Sequence, residues 1–300
     1  MKYYPFILLV ILSSLKFNAQ NEKKNRLRFT DDFNTLPSRE KGYRNFEITD
    51  YNCFLMDTIS GKGRMNDGYL ITEMNRTGVS GKPKRTEFGV DLIKGLNKVQ
   101  FLGISIKIPN SFKFDQSNLG RQIMICQFHS KPAPGSTWNH YVKYNPFNRP
   151  SIALFIVTND NENYYLVLKY GNNGKSEFEY KDEIWSTIAV KKIELNNWID
   201  IVIEAKWSRS NSGYIASWLN NEPFTPFNGV HNKVYGANMH NESPVYFKFG
   251  QYRYFDDSHI HQIYFDELRI GDSFDQVTLY DEVPKMFTIQ TDMGFIKNHE

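Results

Sequence analysis

The run Trp198–Trp207 (WIDIVIEAKW) alternates with a period of two: Ile199, Ile201, Ile203 and Ala205 take one face, and Asp200, Glu204 and Lys206 the other. A strand with one apolar face commits the chain to a sheet that another layer must cover. Similar strand signals, bounded by turn residues, occur at Gly68–Asn75, Val99–Ile108, Arg121–His129, Ser151–Val157, Tyr164–Tyr170, Tyr214–Asn220, Val245–Tyr252 and Gln262–Gly271. Asn159-Asp160-Asn161 reads as a hairpin turn, and no long window carries helical periodicity. The 23 Phe, 18 Tyr and 5 Trp among 300 residues point the same way, since aromatic side chains suit a pleated, half-buried surface. The expectation is an all-β jelly-roll sandwich of two antiparallel sheets, with ligand bound on the concave face of one sheet.

Residues 21–28 are a polar leader, and from there to about residue 285 there is no linker-like break, repeat or low-complexity tract, which predicts one domain over 21–300. Residues 1–20 read as a secretory signal: Lys2, an apolar run from Tyr3 to Leu12, and a polar exit at Asn18-Ala19-Gln20. That run is short for a membrane span, and no later stretch is longer, so the expectation is a secreted or periplasmic chain without membrane insertion. The formal charge is +3, and falls to +1 once residues 1–20, with Lys2 and Lys16 and no acid, are removed. Near balance gives no argument for nucleic acid, and any polyanion site must be a local patch. Two cysteines, Cys53 and Cys126, admit one disulfide in an oxidising compartment; a buried free thiol at Cys126, inside a strand-like run, is equally consistent.

Three segments place polar groups on one strand face. Gln127 and His129 point the same way while Cys126 and Phe128 point the other. Arg85 and Glu87 share a face. In Tyr246–Arg253 (YFKFGQYR), period two joins Tyr246, Lys248 and Tyr252 and sends Phe247 and Phe249 to the core. Each pattern alone is ordinary strand surface; together they describe a platform for a polar ligand.

RTE at 85–87, QFH at 127–129 and YFKFGQYR at 246–253 resemble the signature strands of jelly-roll polysaccharide lyases, most nearly the heparin lyase I and glucuronan lyase group. Alginate lyases of the same fold carry similar motifs. Phe265–Gly271 (FDELRIG) resembles the closing strand of concanavalin-like sandwiches, so the resemblance runs from about residue 28 to 275. It implies β-elimination from an anionic, uronate-containing polysaccharide: heparin or heparan sulfate, glucuronan or alginate. Arg85 and Gln127 would hold the C5 carboxylate, His129 would take or help take the C5 proton, and Tyr252 would protonate the departing oxygen, or do both jobs where proton and leaving group lie on one side of the sugar. Lys248, Tyr246, Glu87 and Arg253 would bind the sugars. The resemblance implies a monomer that requires no cofactor, with Ca²⁺ an option because related lyases carry it. The 130–149 segment matches no motif and reads as a loop shaping the groove.

Other readings stay in view. The same sandwich serves glycan-binding modules that cleave nothing. Asp200 and Glu204 share a strand face in the manner of a glycosidase pair, but Val202 stands between them where an acid would be needed, so they read as a solvated face. His259-Ile260-His261, after Asp256 and Asp257, lacks an evident third metal ligand, and no acidic loop has calcium-ligand spacing.

Overall fold

The computed structural model describes residues 27–48, 53–57, 62–65, 68–75, 83–91, 95–138, 150–172, 184–239 and 241–280; the leader at 1–20 lies outside them. In chain order the strands are β1 (Phe29–Asp31), β2 (Tyr43–Ile48), β3 (Cys53–Asp57), β4 (Tyr69–Met74), β5 (Lys84–Asp91), β6 (Val99–Lys107), β7 (Gln122–His129) and β8 (Ile152–Thr158). They continue with β9 (Tyr164–Asn172), β10 (Ile184–Ile193), β11 (Trp198–Lys206), β12 (Tyr214–Leu219), β13 (Glu222–Pro223), β14 (Val234–Tyr235), β15 (Tyr246–Arg253) and β16 (His261–Gly271). Helix is confined, among the described residues, to a 3₁₀ turn at Gln116–Asn118, the single turn α1 (Phe274–Val277) and Trp138.

The strands form two antiparallel sheets. One runs β13-β12-β11-β6-β16-β4-β3, with β1 beside β16 and β14 beside β12; the other runs β10-β9-β8-β7-β15-β5-β2. This is the sandwich that the alternating strands require. The β8–β9 hairpin turns where expected. Asp160 Oδ1 there accepts the backbone N–H of Glu162 (2.9 Å) and Asn163 (2.7 Å), and Asn161 adopts a left-handed φ of 59°.

The inner faces meet in a core heavy in aromatic rings. Phe249 stacks on Phe88 (5.6 Å between centroids) and on Phe247 (5.9 Å), and reaches Phe265 of the opposite sheet at 5.3 Å; Phe128 packs between Phe247 and Trp207. Each such ring contributes roughly 1.5–3 kcal/mol through burial. Phe88, Phe128, Phe247 and Phe249 come from β5, β7 and β15, so the strands expected to carry chemistry are anchored from behind. Cys126 lies in this core, 2% exposed, and its thiol is free, so the bridge to Cys53 that the sequence admits is not formed.

One irregularity sets the orientation of the site strands. The β7–β8 register shifts between Met124 and Cys126, and the β7–β15 register shifts between Phe249 and Tyr252. Ile125 and Cys126 both join the inner core, while Met124 packs in a separate apolar cluster that Tyr252 touches. A bulge of this kind resets which residues face out. Opposite it Gly250 has φ 127°, and a Cβ there would come within 2.0 Å of the Thr86 carbonyl oxygen. Gly250→Ala should therefore cost about 3 kcal/mol or more. A shift of the urea midpoint measures this, and an unchanged midpoint would contradict it.

Asp200 and Glu204 are not a solvated face: they are 5% and 8% exposed. They lie on the nine-stranded sheet, away from the core. Arg64 grips Asp200 bidentately (Nε–Oδ1 2.9 Å, Nη2–Oδ2 2.7 Å), with Ser105 Oγ at 2.7 Å. Glu204 accepts the Tyr214 hydroxyl (2.5 Å) and pairs with Lys233 (3.3 Å). Both acids are committed to structural partners, which removes the glycosidase reading.

Candidate active site

On the seven-stranded sheet, register lines up the expected groups. Antiparallel pairing sets Tyr246 of β15 opposite His129 of β7 and Asp91 of β5, then Lys248 opposite Gln127 and Gly89, and Tyr252 opposite Met124 and Arg85. Period two keeps these side chains on the outer face while Phe247 and Phe249 turn inward. The groups that three separate sequence motifs supply thus share one surface.

Beside them β2 adds a residue the sequence reading missed. Glu47 sits opposite Glu87 in the β2–β5 register. Its carboxylate accepts a hydrogen bond from Arg85 Nη1 and pairs with Lys248 Nζ at 2.6 Å. Lys248 also reaches Glu87 Oε2 at 3.5 Å, and Gln127 Nε2 donates to Glu87 Oε1. The result is one chain of alternating charge, Arg85, Glu47, Lys248 and Glu87, that ends on the neutral Gln127 amide. Burial alone would raise the Glu47 carboxyl, but Lys248 and Arg85 hold it below the usual carboxylate range. Glu87, only 3% exposed, is pushed upward by burial, which Lys248 only partly offsets. Glu87 therefore lies in the floor of the site, where it orients Gln127 and Lys248.

The His129 imidazole is held neutral. Burial lowers its pKa to about 4, the Ser130 carbonyl working in the other direction. Nδ1 lies 2.9 Å from that carbonyl oxygen. A carbonyl only accepts, so Nδ1 carries the proton and Nε2 keeps its lone pair. Tyr252 is the converse: burial, together with a hydrogen bond to Tyr254, raises its hydroxyl well above the ordinary phenol value, so it stays protonated. The Arg85 guanidinium stacks over its ring, 4.6 Å from the centroid.

Arg39, Arg44, Phe46, Glu47, Arg85, His129, Trp138, Tyr246 and Lys248 line a cleft of about 510 Å³. Trp138 is 47% exposed and approaches the Tyr246 ring edge-on at 6.3 Å. It comes from the segment in which no motif was placed. At the rim Asp91 pairs with Arg44 (2.7 Å) and Lys131 (2.6 Å).

Arg253 does not belong to this site. Alternation puts it on the inner side of β15, 1% exposed, where its guanidinium bonds His261 Nδ1 (2.5 Å) and the Asn75 carbonyl (3.1 Å). His261 is likewise structural, with Nε2 donating to the Lys113 carbonyl at 2.7 Å and the ring stacked on Phe112. Among the described residues the metal-type cluster is Asp115, Asp257 and His259. Ca²⁺ takes six to eight oxygen ligands. Here the donors are two carboxylates and a nitrogen, and Ser258, Asn118, His259 and the Asp115 amide already bond those carboxylates. The set does not fit calcium.

The two-sheet sandwich thus bears a cleft of cations, one tyrosine and a neutral imidazole. The polysaccharide lyase family model matches residues 41–269, from the approach to β2 into β16, and the chain belongs to that family. Among solved structures, the endo-β-1,4-glucuronan lyase of the fungus Trichoderma reesei is similar at TM-score 0.62 and 17% identity, over 84% of this chain and 98% of that one. The cellulose-induced protein Cip1 is similar at 0.50 and 11%, over 82% and 98%. An alginate lyase from Klebsiella pneumoniae gives 0.46 and 11%, over 76% and 86%. At such identities the likeness is one of fold. Comparison with curated protein sequences gives no match. The protein is thus a polysaccharide lyase with a β-sandwich fold.

Proposed function

We propose that the chain is an exported lyase that cleaves a uronate-containing polysaccharide by β-elimination, leaving a C4–C5 unsaturated uronate at the new end. The observation that carries this is that His129, Gln127, Arg85 and Tyr252 share one outer sheet face, His129 and Arg85 in the cleft lining and Tyr252 under the Arg85 guanidinium, with the imidazole neutral and the phenol protonated. A C5 proton becomes removable only when the adjacent carboxylate is stabilised as it turns into an enolate. Arg85 and Gln127 supply that stabilisation. His129 Nε2 takes the C5 proton, the C4–O bond breaks as the C4=C5 bond forms, and the Tyr252 hydroxyl delivers a proton to the departing oxygen. Lys248, Tyr246 and Trp138 hold the neighbouring sugars, Trp138 offering an apolar face for stacking.

The test is direct. The chain from Asn21 onward is incubated with glucuronan, alginate, heparin, heparan sulfate and chondroitin, and the ultraviolet absorbance of the unsaturated uronate is followed. A rise on at least one polymer is expected. Retention on a polymer in an affinity gel without any rise would make the chain a binding module.

A further inference from the structure

We infer that Glu47 sets the charge density of the chains this cleft accepts, admitting polymers with one carboxylate per sugar and rejecting sulfated ones. The inference rests on the lyase reading above and narrows its substrate class.

Glu47 holds the cations that a substrate anion needs. One carboxylate oxygen accepts from Arg85 Nη1 and the other lies 2.6 Å from Lys248 Nζ, and the residue stands in the lining of the cleft. Its carboxylate remains ionised because those two cations hold its pKa down against the effect of burial. Placing it opposite Glu87 is costly, since like charges directly across neighbouring strands repel. The arrangement persists because Lys248 bridges both acids, at 2.6 Å and 3.5 Å. Asp91 repeats the device at the rim with Arg44 and Lys131. Among the described residues, five cations (Arg39, Arg44, Arg85, Lys131 and Lys248) thus meet three acids.

That leaves a surplus of two positive charges. Such a surplus suits one or two uronate carboxylates. A sulfated chain carries several charges on each disaccharide and calls for unshared Lys and Arg along its path. Here its sulfates would also approach the ionised Glu47, and like-charge contact is how a site rejects a wrong partner.

The experiment uses Tyr252→Phe protein, so that chains are bound without being cut, with and without Glu47→Gln. Dissociation constants are measured for unsulfated polyglucuronate and for heparin. Glu47→Gln should tighten heparin binding at least tenfold while polyglucuronate changes less than threefold. Glu47→Asp, which keeps the charge, should retain the parent selectivity. Equal changes for both polymers, or none, would overturn the inference. Should Glu47→Gln fail to fold, native enzyme decides the matter by competition. Fully desulfated heparin should bind at least tenfold more tightly than heparin, and equal binding would overturn the inference. Because the readout is binding, the outcome is independent of whether the native chain yields unsaturated product, which tests the lyase reading separately.

Discussion

Replacing Tyr252 with Phe should reduce turnover by about 10³-fold while leaving polysaccharide binding within a few-fold of the parent. The change deletes one oxygen and keeps the ring that packs against the Met124 cluster and beneath the Arg85 guanidinium. Fold and cleft should survive it. What is lost is a proton held ready by burial and by Tyr254 at a hydroxyl that does not ionise near neutral pH. Without it the departing oxygen leaves as an alkoxide, and that cost falls only in the transition state. A drop in kcat with little change in KM is therefore the signature. Measured rates of ultraviolet absorbance increase decide it, and a variant with full turnover would remove Tyr252 from the chemistry.

His129→Ala should cost a comparable factor, on the order of 10²–10⁴, because it removes the base. The pH profile of the native enzyme offers an independent check. The imidazole must be neutral to accept the C5 proton, so activity is present above its pKa and lost as pH falls through it. Burial places that point at about 4 rather than in the ordinary imidazole range. Cleavage should then hold steady from mildly acidic to mildly alkaline pH and fall only near pH 4 on the acid side. On the alkaline side it should persist past the ordinary phenol value, until Tyr252 ionises. An acid limb near 6.5 would show that His129 is solvated in the working enzyme, or that another group is the base.

Much of this molecule could be read from alternation. Once Phe247 and Phe249 are taken as core, Tyr246, Lys248 and Tyr252 have no choice of side, and the Gln127/His129 pair follows in the same way. Applied strictly, the same rule also puts Arg253 with the phenylalanines; expecting it at the sugars gave its charge more weight than its position. Glu47 was not found because strand β2 (YRNFEI) has no clean period, and its carboxylate meets Arg85 and Lys248 only through pairing of strands distant in sequence. Trp138 lies beyond the end of β7, where strand alternation says nothing. Asp200 and Glu204 looked solvated because alternation shows which side a residue takes and not what covers that side. The covering there comes from elsewhere in the chain: Arg64 grips Asp200, and α1 lies so close over β6 that a Cβ on Gly103 would meet the Val277 carbonyl oxygen at 2.3 Å.

In β5, β7 and β15 one set of side chains faces outward and the other faces the hydrophobic interior, alternating except at the bulge where Ile125 and Cys126 both turn inward, so two sets of demands are interleaved on one backbone. Inheritance can revise one set and leave the other alone. A lineage may exchange Glu47, Lys131 or Trp138 for a new diet while Phe88, Phe128, Phe247 and Phe249 go on holding the sandwich shut. Such a scaffold tolerates deep sequence divergence, as in the 17% identity shared with the Trichoderma reesei enzyme over nearly all of that chain. In a family built this way, outward-facing positions should vary with the polymer consumed and inward-facing ones with little except volume.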